Sequence, residues 1–177
     1  KSIATDIYDG GLYFYVLSGV ITRPVIIRYD IGTGLNPFVI PLALGTLYNA
    51  RSIMVYKPIP TKKYLYVTDT DQFDINKIMQ IDLMDPLYGT TPLATNLLYP
   101  GYDMITDSAK YIYVVNKEND TISKVVIDPA RGETINTWAS GDTISRPVGI
   151  TIDRNDNLYV ANEGTGPRNS RISRISL

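Results

Sequence analysis

Four small polar residues stand three positions after four tyrosines: Ser18 after Tyr15, Asp69 after Tyr66, Asn116 after Tyr113 and Asn162 after Tyr159. Side-chain oxygens recurring at one place in a repeat can form a ring of ligands around a common axis. The same residue types also cap turns by bonding nearby backbone, and because every repeat carries one, capping is the expected role. Asn162-Glu163-Gly164 adds a carboxylate beside that position. Asp69-Thr70-Asp71-Gln72-Phe73-Asp74 has the spaced carboxylates of a calcium loop. It lacks the glycine and distal glutamate of an EF-hand, so it reads as a solvated hairpin loop. Asn119-Asp120-Thr121 fits the N-glycosylation acceptor pattern, which marks Asn119 as a modification site in a suitable host.

Two absences narrow the chemistry. With no cysteine, the chain has no disulfide, no thiolate nucleophile and no sulfur-built zinc site. With no histidine, it has no imidazole base, and Ser-His-Asp and Cys-His arrangements are excluded within it. A metal here must take oxygen ligands, which favours calcium or magnesium. The formal net charge of −1 gives no general attraction to nucleic acid. No apolar run reaches the length of a membrane span. The chain starts at Lys1, as a processed, truncated or partly included chain does.

The elements that must position these residues repeat. Leu12-Tyr13-Phe14-Tyr15-Val16, Tyr64-Leu65-Tyr66-Val67, Tyr111-Ile112-Tyr113-Val114 and Leu158-Tyr159-Val160 recur at intervals of 51, 47 and 46 residues. Behind them, in the same phase, come segments ending in Asp30, Asp82, Asp128 and Ser176. Ahead of them lie segments such as Pro147–Asp153, and Asp9, Asp107 and Asp153 each precede the aligned tyrosine by six residues. The second repeat departs from this pattern through an insertion around Lys57-Pro58-Ile59-Pro60. A fourth element, Phe38-Val39-Ile40, Leu93–Leu97 or Thr134–Trp138, closes three of the repeats. All are short, β-branched or aromatic, and bounded by Gly, Pro, Asn or Asp. Tyr8-Asp9-Gly10-Gly11 and Asp153–Asn157 have tight-turn compositions. Helix is expected to be scarce. Asp30, Asp82 and Asp128 are expected to cap the turns after the third strands, and Trp138 to pack between blades rather than anchor a partner.

Four antiparallel strands repeating every 47 residues or so match a β-propeller blade. The expectation is an all-β chain of about four four-stranded blades, approximately 1–45, 46–99, 100–142 and 143–177, in one domain. The last blade is incomplete, stopping at Leu177 after its third strand. A larger propeller of which this is a part is favoured over a closed four-bladed ring or an assembly between chains. Bare sheet edges would invite self-assembly.

Tyr113-Val114-Val115-Asn116, followed by Thr121-Ile122-Ser123 and a strand running to Ile127-Asp128, resembles the YVTN β-propeller repeat. Tyr159-Val160-Ala161-Asn162 with Ser170–Ser173 repeats it, and Arg146–Asn162 is similar to an NHL repeat. The resemblance covers roughly residues 100–177 well and 1–99 less well, with Ser18 where the family has Asn or Asp. It implies a domain common in exported or cell-surface proteins, used for binding a protein or glycan partner or as a scaffold. Some relatives are lactonases or lyases, in which oxygen ligands from several blades hold a divalent metal. By that resemblance Asp69, Asn116, Asn162 and Glu163 form a candidate calcium or magnesium set. The expected function is a non-catalytic, extracellular or surface binding module without a cofactor. A metal-dependent lactonase- or lyase-like enzyme is the alternative.

Overall fold

Short runs of β-branched and aromatic residues, bounded by Asn, Asp, Gly or Pro, produce strands and tight turns. The computed structural model describes residues 2–8, 11–20, 23–31, 36–42, 47–59, 61–97, 99–127, 134–141, 143–165 and 170–177. Among these, the sole helical element is one 3₁₀ turn at Lys117–Asn119. The chain is all-β, with the blade sheets of a β-propeller. Blade 1 holds β1 (Ser2–Tyr8), β2 (Gly11–Val20), β3 (Arg23–Asp30) and β4 (Asn36–Val39); blade 2 holds β5 (Ser52–Ile59), β6 (Lys62–Thr70), β7 (Asn76–Asp82) and β8 (Thr90–Leu97). Blade 3 holds β9 (Asp103–Thr106), β10 (Tyr111–Asn116), β11 (Thr121–Val126) and β12 (Thr134–Ala139). Blade 4 holds β13 (Pro147–Ile152), β14 (Leu158–Asn162) and β15 (Arg171–Ile175), with no fourth strand among the described residues.

The chain divides into two compact units, Lys1–Pro92 and Leu93–Leu177, with the cut inside β8. Each unit has its own blade-on-blade core. In the first, Ala4, Tyr15, Leu17 and Ile26 of blade 1 pack with Ile53, Leu65, Val67, Met79 and Ile81 of blade 2. In the second, Tyr113, Val115 and Ile122 of blade 3 pack with Ile150, Leu158 and Val160 of blade 4. Every one of these residues is buried, and burial of each Val, Leu, Ile or Met side chain among them contributes roughly 1.5–3 kcal/mol. Both joints have the same polarity. Strand side chains alternate between faces, so each sheet has a face that carries the aligned tyrosine and a face that does not. In each unit the tyrosine face of one blade meets the opposite face of the next. Trp138 lies in the second joint, its ring edge-on to Tyr113 at 4.8 Å between centroids.

The turns follow the side-chain chemistry. Asp153 Oδ1 accepts from the N–H groups of Asn155 and Asn157, and Asp156 takes φ +60°. Asp82 caps the turn after β7 by accepting from Met84 N–H at 2.8 Å. In blade 2 the insertion is absorbed as a register shift between Tyr56 and Ile59. The turn at Asp9-Gly10, and Asp128 with the segment through Gly132, lie outside the described residues.

Candidate functional site

The repeated polar residues close the ends of their blades. Asp69, at the end of β6, accepts on Oδ1 from the N–H groups of Tyr48 (3.0 Å) and Asn49 (2.8 Å), which lead into β5. Asn162, at the end of β14, accepts in the same way from Ser145 N–H (2.9 Å), just ahead of β13. Its Nδ2 donates to the Val160 carbonyl (3.1 Å) and to Ser173 Oγ (3.0 Å) on β15. Asn116 Nδ2 donates to Ser123 Oγ (2.9 Å) and Thr121 Oγ1 (3.1 Å) on β11. The position is therefore a latch, tying the second strand to the third and to the entry of the first. Ser18 is half-buried at the corresponding place on β2.

The latch is incomplete in two blades. Asp69 Oδ2 and Asn116 Oδ1 are the buried side-chain oxygens without a hydrogen-bond partner among the described residues. Lys77 Nζ lies 3.7 Å from Asp69 Oδ2, an ion pair beyond hydrogen-bond distance, and 3.6 Å from Asp71. Leaving a buried acceptor unmet costs about 1–3 kcal/mol, so such an oxygen calls for a water or an ion.

Glu163 sits differently. Its Oε2 takes Lys117 Nζ at 2.7 Å and Arg146 Nε at 3.2 Å. Those bonds, Lys117's first, hold its carboxyl below the usual glutamate range. Asp120, with φ +59°, accepts from Arg146 N–H, and Lys117 lies over the Tyr102 ring. This clamp joins blades 3 and 4 on the side where Asn116 and Asn162 end their strands. Sequence spacing held no signal for it, because Lys117 and Glu163 come from different repeats.

The Asp69–Asp74 segment is a hairpin loop in which Asp71 Oδ1 accepts from Phe73 and Ile75 N–H. Tyr48, Asp71, Gln72, Phe73 and Lys77 line a cleft of about 220 Å³ beside it. Asn119 is half-buried, and its Oδ1 accepts from the buried Thr121 hydroxyl at 3.0 Å. Asp69 belongs to the first unit, whereas Asn116, Asn162 and Glu163 belong to the second. No group of three or more Asp or Glu residues arranged to hold a metal occurs among the described residues. The donors are thus mostly amide and single-carboxylate oxygens; Asp69 Oδ2 already faces the Lys77 ammonium, whereas Asn116 Oδ1 is an oxygen of the kind a hard cation takes.

No protein-family model and no curated protein matches the chain. Solved structures do match in fold. A gluconolactonase from Xanthomonas campestris superposes with TM-score 0.57 at 12% identity, over 86% of this chain and 50% of that one. An exo-β-1,3-galactanase from Phanerochaete chrysosporium gives 0.60 at 12% identity, over 99% and 47%. The GH43 enzyme from Xanthomonas citri gives 0.56 at 11% identity, over 99% and 69%. The chain spans about half the length of the gluconolactonases it matches. At these identities the likeness is one of fold, and it supports the propeller without singling out the YVTN or NHL type.

Proposed function

We propose that the chain is part of a sugar-directed propeller enzyme of the lactonase or lyase kind, using calcium or magnesium held by oxygen ligands. The observation that carries this reading is the buried Asn116 Oδ1, which has no hydrogen-bond partner, at the repeat position where Asp69 Oδ2 faces the Lys77 ammonium. The resemblance in fold to a gluconolactonase and to glycoside-acting propellers supports it. It displaces the expectation of a non-catalytic module as the leading reading. In the second unit Asn116 Oδ1, with Asn162 and Glu163 nearby in sequence order and strand end, are the proposed ligands; Asp69 is the proposed ligand in the first. A bound divalent ion would supply polarisation of a lactone carbonyl and acidification of a water. Glu163, kept ionised by Lys117 and Arg146, suits binding a cation or a sugar hydroxyl rather than accepting a proton near neutral pH.

The second reading is a binding or scaffold module, extracellular or on a cell surface, with a protein or glycan partner. The completed Asn162 latch and the clamped Glu163 favour it, since both residues are already engaged within the fold. Metal analysis of chelator-stripped and calcium-reloaded protein, with hydrolysis of a sugar δ-lactone followed in parallel, separates the two. Stoichiometric calcium or magnesium, lost in Asn116→Ala, with metal-dependent turnover, supports the enzyme. Absence of both metal uptake and turnover leaves the binding module.

A further inference from the structure

Phe73 is a large apolar side chain that the fold does not bury. It stands in the β6–β7 hairpin loop with 74% of its surface exposed. The loop beneath it is tightly bonded. Asp71 N–H donates to the Ile75 carbonyl and Asp74 N–H to the Asp71 carbonyl, while Asp71 Oδ1 takes the N–H groups of Phe73 and Ile75 at 2.9 and 3.1 Å. Asp74 completes the turn at φ +60°. The backbone that carries the ring is therefore set before anything binds to it, which lowers the ordering cost of binding.

A single exposed ring is ordinary, but its surroundings are not. With Tyr48, Asp71, Gln72 and Lys77 it lines the cleft of about 220 Å³. That lining runs from residue 48 to residue 77, well inside the sequence. Lys77 Nζ lies 3.7 Å from Asp69 Oδ2 and 3.6 Å from Asp71 Oδ2. Both gaps exceed hydrogen-bond length, so the ammonium is attracted to two carboxylates without a short bond to either. The gaps are held open, because Asp69 is fixed through Oδ1 by Tyr48 and Asn49 N–H, and Asp71 through Oδ1 by its own loop.

These charges select the occupant. An anion would meet two carboxylates, and a cation would meet the Lys77 ammonium. A neutral hydroxyl fits both, because its oxygen accepts from Lys77 while its O–H donates to Asp71 Oδ2. The Phe73 ring beside them calls for an apolar C–H face. A pyranose carries the two together, C–H groups on its faces and hydroxyls around its rim. The cleft suits one such ring, being smaller than the roughly 300 Å³ at which pockets for larger ligands begin.

We propose that this cleft is a binding subsite for one neutral sugar ring, stacked on Phe73 and hydrogen-bonded by Lys77, Asp71 and Gln72. The proposal rests on the sugar-directed half of the proposed function and not on its metal, since the bonds it uses are those of these side chains.

The test is saturation-transfer NMR on the 177-residue chain in chelator, with methyl β-D-glucopyranoside, methyl β-D-galactopyranoside and methyl β-D-xylopyranoside as probes. At least one should receive saturation at its ring C–H protons, with a millimolar Kd. Sorbitol, which has the hydroxyls without the ring face, should receive none. Phe73→Ala should weaken binding about tenfold or more with unchanged circular dichroism, because the side chain is exposed. Phe73→Trp should retain binding. Gln72→Ala, also at an exposed residue, should weaken binding about threefold. No transfer to any of the three glycosides overturns the proposal. So does equal binding by Phe73→Ala, an equal response from sorbitol, or binding that is lost in Asn116→Ala. The probes are not lactones and no divalent ion is present, so a failure here leaves the metal-dependent turnover of the proposed function standing. Failure of that turnover likewise leaves this binding in place.

Discussion

The Tyr113 hydroxyl donates to Asp107 Oδ2 across 3.0 Å, and the same pair recurs one blade later as Tyr159 and Asp153 at 3.2 Å. Each aspartate also accepts from the backbone of its own turn: Asp107 from Tyr111 N–H, Asp153 from Asn155 and Asn157 N–H. The carboxylate therefore fixes the hairpin between first and second strands and, through the tyrosine, the blade's packing face. Blade 2 substitutes Gln80, which accepts from Tyr66 at 3.2 Å.

Tyr113→Phe should cost about 1–3 kcal/mol in urea unfolding, because Asp107 Oδ2 is left buried and unmet. Burial, then the Asp107 bond, raises the Tyr113 hydroxyl above the ordinary tyrosine value. A raised folded-state value gives stability that is present below about pH 10 and lost as the pH climbs further. The wild type should thus lose stability in the alkaline limb, and Tyr113→Phe should lose less. An equal alkaline slope in the two proteins would contradict the assignment.

Asn162→Ala should cost about 2–3 kcal/mol, since it strands Ser145 N–H and removes the donor to Ser173. Asn116→Ala should cost less in metal-free buffer, about 1 kcal/mol, because half of its amide is already unmet. Denaturant midpoints of the two variants, measured side by side after chelation, check the order. Asn116→Ala being the more damaging would count against the latch geometry.

Glu163 and Asp153 are both held below the ordinary carboxylate range, Glu163 first by Lys117 and Asp153 first by Asn157. In the unfolded chain these groups bind protons at higher pH than in the folded one, so stability rises with pH across that window. It is present above about pH 4 and is lost on acidification through the folded-state values. Glu163→Gln should flatten the acid limb of a thermal-midpoint profile and leave the neutral plateau nearly level. A profile parallel to that of the wild type would show that the clamp contributes nothing.

The repeat was legible because its markers are local. Tyr15, Tyr66, Tyr113 and Tyr159 announce the buried second strands, and Asp107 and Asp153 announce their turns. For the same reason Asn162 could be expected to bond backbone, as it does with Val160 and Ser145, whereas Asn116 bonds the Thr121 and Ser123 side chains instead. The clamp of Lys117 and Arg146 on Glu163 could not, because its partners lie a repeat apart and any of many surface charges has the same local pattern. Nor does periodicity tell a buried isoleucine, such as Ile122, from an exposed one, such as Ile172.

The central claim is that a tyrosine face covers the opposite face of the following blade, and one bridge tests it. Ser108, in the turn after β9, donates through both N–H and Oγ to Asp156, in the turn after β13. The chain has no cysteine, so Ser108→Cys combined with Asp156→Cys offers a single possible intramolecular disulfide. Mild oxidation of the dilute double variant should give a quantitative bridge between residues 108 and 156, identified by peptide mapping, with the native circular dichroism retained. Free thiols, or only intermolecular bridges, would contradict the stacking of blade 3 on blade 4.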